Sequence, residues 1–232
     1  SIGYSQDFRL SLTTGVPVTT SDVTGAGTLY AVPYTGNRIA LYAGSTWVTR
    51  YTSEFSLALT LTSGKPYDVF CYDNSGTPTL EVLVWTNSTT RATALAYQNG
   101  VLVKSGDATR RYLGTLYASG TNTTEDSKAK RYLFNYYNRT PRSLAVTEAT
   151  ASYTYTTDTW RQANASSANQ IDLVCGVAEH PILVEVNAIA SNGTNVYNSV
   201  GIGIDSTSVD SSTVFQGNHY TDSHPYAKYV GY

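Results

Sequence analysis

Two histidines flank an aspartate near the C-terminal end of the chain: His219, Asp222 and His224 in the phrase HYTDSH. Imidazole and carboxylate groups are what a zinc ion takes, at about 2.0–2.2 Å and from converging directions. Here the two imidazoles are spaced along a polar loop with no helical turn to bring them together. A solvated loop is the expectation, with no metal. His180, between Glu179 and Pro181, has the residue type for proton transfer near neutrality, but its setting is a turn into the run Ile182–Val186. Glu81, Glu125, Asp126, Glu148, Asp158 and Glu179 are the acids available for glycoside cleavage, which needs two carboxyls about 5 Å or 6.5–9.5 Å apart across a cleft. They are scattered along the chain. No G-x-S-x-G elbow is present. Gly25-Ala26-Gly27 and Gly201-Ile202-Gly203 lack the lysine and hydroxyl residue of a phosphate loop. The expectation is no catalytic residue, no metal and no cofactor.

Aromatic residues in loops are the stronger functional signal. The chain holds 20 tyrosines against 5 phenylalanines and 3 tryptophans. A tyrosine ring is apolar with a polar tip, which suits sugar-facing surfaces and subunit contacts. Tyr153, Tyr155 and Trp160 form one candidate ligand-binding set, and Tyr197, Tyr220 and Tyr226 another. Core packing or a subunit contact accounts for them equally well, because tyrosine and threonine accumulate in any chain made of strands. Cys71 and Cys175 each lie in an apolar run, DVFCYD and DLVCGVA. Buried free thiols are the preferred reading, with one long-range disulfide left open.

Charge excludes some partners. Charged residues make up only 14% of the chain and the formal net charge is −2, so no field draws it to nucleic acid or an anionic membrane. Arg110-Arg111 and Lys128/Lys130-Arg131 are too sparse for a phosphate-tracking groove. No run approaches the roughly 18 apolar residues of a membrane span. The start Ser1-Ile2-Gly3-Tyr4 carries no signal peptide pattern and suits a cytosolically made protein that has lost its initiator methionine.

The elements that must position these groups read as strands. Phe8–Leu12 alternates, Thr13–Thr28 reads as a loop, and Leu29–Tyr34, Arg38–Tyr42, Trp47–Tyr51 and Glu54–Leu61 follow. In the last, Phe55, Leu57, Leu59 and Leu61 share one face. Residues 62–118 supply five more strands, punctuated at Asn74-Ser75-Gly76, Asn99-Gly100 and Ser105-Gly106-Asp107. Residues 119–130 read as a polar loop and Arg131–Arg139 as a strand. A boundary falls in Pro141–Thr150. Beyond it, strands are expected at Ser152–Thr156, Gln170–Val174, Ile182–Ile189, Asn198–Ile204 and Thr213–Gln216. The expected fold is all-β: a lead-in with the first strand over 1–22, an antiparallel β domain over 23–145, and a β-sandwich or jelly-roll-like domain over 146–232. The final run PYAKYVGY stops inside an apolar pattern, so the expectation is a chain that continues or a last strand completed by a neighbouring subunit.

The block from Arg9 to Arg142 resembles a group of uncharacterised proteins encoded among the structural genes of tailed bacteriophages and prophages. The carrying phrases are Leu10–Thr20 (LSLTTGVPVTT), Arg38–Tyr42 (RIALY), Thr90–Arg111 (TRATALAYQNGVLVKSGDATRR) and Asn135–Pro141 (NYYNRTP). Trp160–Asn164 and Asn169–Glu179 extend the likeness. The resemblance implies a non-enzymatic virion component, a tail fibre, adhesin or capsid-decorating protein, assembled in the host cytoplasm. It carries no catalytic residues with it. The partners expected are other copies of the chain, as a homotrimer that protects strand edges, other virion proteins, and a host-surface glycan. Nucleic acid and membrane insertion are not expected. A glycan-binding host-attachment module and a polysaccharide hydrolase are the competing functions.

Overall fold

The computed structural model describes residues 5–179, 181–187, 199–211 and 226–231. It is an all-β, multi-sheet fold. The helical structure among the described residues is a single 3-10 turn at Ala163–Ala165. The chain forms two compact units, Ser1–Ala145 with Ile171–Val177, and Val146–Gln170 with Ala178–Tyr232.

The first unit opens with Phe8–Ser11 (β1), Val23–Ala26 (β2), Thr28–Pro33 (β3), Arg38–Tyr42 (β4), Trp47–Tyr51 (β5) and Phe55–Ala58 (β6). β3 lies between β1 and β6 in a three-stranded antiparallel sheet. β4 and β5 form a separate hairpin. The expected face of Phe55, Leu57, Leu59 and Leu61 is turned inward, while Ser56, Ala58 and Thr60 between them are exposed. β1 is buried on both faces. Burial of its Arg9 is tolerated because the guanidinium donates to the carbonyls of Pro17 and Asn138, so no donor is stranded away from water.

Turn chemistry then sets the registers of Pro66–Asn74 (β7), Thr77–Val84 (β8), Leu95–Gln98 (β9), Val101–Lys104 (β10) and Asp107–Gly120 (β11). Ser75-Gly76 joins β7 to β8 with both residues at positive φ, 51° and 97°, and Asn99-Gly100 joins β9 to β10 at 53° and 83°. Two left-handed residues in a two-residue connection match the twist of the flanking strands. β11 is central: it pairs with β7 along one edge and with β10 and Leu133–Asn135 along the other. A register shift between Tyr112 and Gly114 makes Leu113 an extra residue opposite β7.

Both faces of the β7–β11 pair are covered. Tyr67, Val69, Cys71, Leu113 and Leu116 join Phe8, Leu10, Leu29, Ile39 and Leu41 in the main core. Phe70 and Tyr112 point to the opposite face, with Leu102, Tyr136 and Val177. A strand buried on both faces reads as a continuous apolar run rather than a clean alternation, which is why DVFCYD shows so little period.

Several expected loops are strands. Residues 13–28 contain β2, which pairs with Thr123–Asp126 (β12) across a bulge where Gly25 has φ 63°. Residues 119–126 are the end of β11, a turn with Asn122 at φ 58°, and β12, and residues 127–129 alone remain a loop. Their polar composition conceals burial because each buried group is bonded: the Thr124 hydroxyl donates to the Tyr117 carbonyl at 2.7 Å. The single strand expected over Arg131–Arg139 is two short ones, Lys130–Arg131 (β13) and Leu133–Asn135 (β14), and the chain beyond them bends, with Asn138 at φ 51°.

Gln170–Val174 shortens to Asp172–Leu173 (β15), which pairs in parallel with β13 and so belongs to the first unit. In the second unit, Ile182–Asn187 (β16) pairs antiparallel with Tyr226–Gly231 (β17) in continuous register from Ile182↔Gly231 to Asn187↔Tyr226. No strand forms at Ser152–Thr156, where every residue is exposed and none has a ladder partner, nor over residues 199–204. Thr213–Gln216 lies outside the described residues. The described part of the second unit therefore holds one two-stranded ladder.

Candidate functional site: an ion-paired cluster and exposed tyrosines

The bulge in β11 places Tyr112 and Thr115 on one face, beside Phe70 and Asp68 of β7. The Thr115 hydroxyl donates to the Asp68 carboxylate at 2.8 Å, and Tyr112 and Thr115 share a 2.7 Å hydroxyl contact. Arg91 closes the cluster. Its guanidinium reaches Asp68 at 2.8 and 3.2 Å and donates to the Gly176 carbonyl. It also lies over the Trp85 ring at 4.3 Å and the Tyr112 ring at 5.8 Å. Gly176 fits only because it lacks a side chain: a Cβ there would stand 2.2 Å from the Tyr112 hydroxyl and 2.4 Å from that of Thr115. The segment Ile171–Val177 thus caps the cluster. Burial raises the Asp68 carboxyl above its usual range, opposed first by Arg91, and burial likewise raises the Tyr112 phenol. The Asp68 carboxylate thus ties Arg91, and through it the Gly176 carbonyl, to Thr115 of β11.

Three further aspartates of the first unit also hold arginines. Asp7 holds Arg38 at 2.9 Å, and Asp73 holds Arg50 at 2.6 and 3.1 Å. Asp126 takes Arg131 at 2.9 Å and Arg142 at 3.0 Å. Of the six acids singled out as catalytic candidates, Glu81 meets Arg110 at 3.0 Å, whose guanidinium lies 4.0 Å over the Tyr72 ring. Glu125, next to Asp126 on β12, accepts from Ser127 at 2.7 Å. Glu148 closes a loop of the second unit, accepting from Thr150 and Asn169. Those bonds, Thr150 foremost, hold its carboxyl down to about 2. Asp158 is exposed and Glu179 lies in the second unit. Among the described residues, no three histidine, cysteine or acidic side chains cluster as a metal site would require. His180, His219 and His224 lie outside the described residues.

The aromatic candidates are dispersed in character. Tyr153 and Tyr155 are exposed. One face of Tyr155 is covered by Arg161, 3.7 Å above the ring, and its hydroxyl is bound to Thr159. Trp160 is half-buried against Gly201, where a Cβ would lie 3.0 Å from the indole. Tyr197 and Tyr220 lie outside the described residues, and Tyr226 opens β17 opposite Asn187. Among the described residues the most exposed large hydrophobic side chains are in the first unit instead: Tyr51 at 72% and Tyr97 at 66%. Neither stands out in the sequence, because each sits in an alternating strand. Their one signal is position, Tyr51 ending β5 and Tyr97 standing two residues before the Asn99-Gly100 turn.

Both cysteines are free. Cys71 is buried as expected, whereas Cys175 is exposed because its strand is only two residues long and leaves it beside the capping Gly176. Burial pushes the Cys71 thiol up to about 12. A thiol reagent at neutral pH is expected to titrate one thiol per native chain, abolished by Cys175→Ser, and two in urea. Two reactive thiols in the native protein would contradict the burial of Cys71.

No protein-family model, no curated protein and no solved structure matches the chain.

Proposed function

We propose that the chain is a non-enzymatic structural protein of a tailed-bacteriophage virion, decorating the capsid or projecting from the tail. The observation that carries the non-enzymatic half is the fate of the buried carboxylates. Asp7, Asp68 and Asp126 each hold an arginine that joins separate segments of the first unit. Acids used as clamps are the chemistry of a rigid framework, and a particle exposed to dilution and shear needs one. The virion half rests on the phrases that resemble phage structural proteins. Several of them contain framework staples. Asn135 accepts from the Leu10 amide at 2.7 Å and donates to the Leu10 carbonyl at 3.0 Å, and Asn138 donates to the carbonyls of Gln6 and Phe8. Phrase NYYNRTP thereby fixes β1. The polar, weakly charged surface keeps such a protein soluble without drawing it to nucleic acid. In this reading the partners are further copies of the chain and other virion proteins.

Labelling of purified particles with an antibody to the recombinant chain tests the assignment, and absence of the protein from particles of its own phage overturns it. Tyr153 and Tyr155, exposed on a loop, favour glycan attachment as the second reading. That reading predicts saccharide binding that Tyr153→Ala weakens at least tenfold by array or calorimetry. Release of reducing ends from a host polysaccharide would overturn the non-enzymatic reading.

A further inference from the structure

The β4–β5 hairpin carries a strand edge that pairs with no other strand among the described residues. Thr52 donates to the Asn37 carbonyl, and Ala43 to that of Thr46, at 3.1 and 2.9 Å. With the register Ile39↔Arg50 and Leu41↔Val48, this phase turns the backbone groups of Val48 and Arg50 toward β4. Those of Trp47, Thr49 and Tyr51 point away from it, because N–H and C=O groups alternate along an antiparallel strand. The far edge of β4 is occupied: Ala40 donates to Ser5, Asp7 donates to Arg38, and the Ala40 carbonyl takes Arg111. The outer edge of β5 meets no strand among the described residues.

β8 offers a contrast. Among the described residues it too has a single strand partner, β7, and the Trp85 amide donates to the Pro66 carbonyl at 2.9 Å. By the same alternation Pro78 faces outward, so its missing N–H interrupts that edge, a common protection against pairing with another chain. β5 has no proline, no bulge and no unpaired charge, since Arg50 is bound to Asp73.

We propose that β5 pairs antiparallel with β5 of a second copy of this chain, about a two-fold axis at Thr49. The sequence Trp47-Val48-Thr49-Arg50-Tyr51 is self-complementary in that register. Thr49 faces Thr49 of the second copy, and Trp47 faces its Tyr51. Both pairings, threonine with threonine and aromatic with aromatic, stabilise antiparallel sheets. Arg50 faces Val48, so no like charges are opposed. Trp47, Thr49 and Tyr51 each give one donor and one acceptor to the new ladder, and Tyr51, the most exposed tyrosine among the described residues, gains a cross-strand partner. The hairpins then form one sheet in the order β4–β5–β5–β4. A five-residue ladder falls short of the roughly 1,200 Å² of a stable interface, so the dimer is concentration-dependent and isologous.

Sedimentation velocity of the purified chain across the micromolar range tests this. The expected result is a monomer–dimer equilibrium. Thr49→Pro removes an outward N–H without touching the β4–β5 ladder and weakens association at least tenfold, with the circular dichroism and melting temperature retained. Thr49→Lys sets two like charges face to face at the axis and does the same should the proline disturb the strand. Tyr97→Pro, on the outward edge of β9, leaves association unchanged. A chain that stays monomeric throughout overturns the proposal. So does a dimer or trimer that persists in both Thr49 variants. Particle labelling decides the virion assignment separately, since the two-fold contact does not depend on where the protein is found.

Discussion

Replacing Arg91 with alanine is expected to cost the first unit about 3–5 kcal/mol, the range for stranding a buried charge whose partner has been removed. Asp68 is almost wholly buried. Without Arg91 its carboxylate loses its one cationic partner and keeps the neutral Thr115 hydroxyl and Trp85 indole, and the Gly176 carbonyl loses its donor. For a chain of this size the melting temperature should fall on the order of 10 °C. The diagnostic is a rescue. Asp68→Asn in the Arg91→Ala background removes the stranded charge and should recover more than half of the loss. Additive effects in that cycle would mean the pair is not coupled. A pH series gives an independent check. Burial already holds the folded-state pKa of Asp68 above its unfolded value, and Arg91 is the main opposing influence. A carboxyl with a raised pKa contributes stability that is present in acid and lost as pH rises through its folded value. The deficit of Arg91→Ala should therefore be largest at neutral pH and shrink as the solution is acidified into the carboxylate range.

Gly114→Ala is expected to destabilise by about 3 kcal/mol, the upper part of the range for overpacking. A Cβ at this position would stand 2.1 Å from the Phe134 carbonyl oxygen and 3.0 Å from a Leu10 methyl. The first obstacle is backbone, held by the pairing of Gly114 with Asn135, so it cannot turn aside as a side chain would. β14 must shift, and with it the Asn135 side chain that grips Leu10. The urea midpoint of the first unit reads the effect. Gly76→Ala, where a Cβ would meet no atom within 4 Å and only the φ of 97° is strained, provides the comparison and should cost about 1 kcal/mol. Equal losses at the two positions would contradict the close approach at Gly114.

The same two positions mark what a sequence can and cannot carry. Gly76 was legible because it sits in Asn74-Ser75-Gly76 between two apolar runs, and positive φ is a local demand. Gly114 sits inside a strand, and its reason lies twenty residues away in Phe134. Asp68 and Arg91 are unremarkable in sequence, one in an apolar run and one in a polar loop. Their meeting depends on which face of β7 the bulge at Leu113 matches to Thr115. Likewise Tyr153 and Tyr155 stand out by composition, whereas Tyr51 is hidden in a regular strand.

By itself the sequence determined the all-β class, the turns at Ser75-Gly76 and Asn99-Gly100, the five strands of residues 62–118 and the burial of Cys71. Each follows from two-residue periodicity or from the backbone preference of a single residue, interactions that act within a few positions. The tertiary structure decided the rest. It made strands of the polar stretches around β2 and β12, returned Ile171–Val177 to the first unit, and exposed Cys175. It also assigned each buried carboxylate its arginine. The physical reason is that a buried polar group is stable wherever a partner reaches it, and the partner can come from any point in the chain. Hydrophobic patterning marks what must leave water, but not which distant donor makes it safe to bury a threonine or an aspartate.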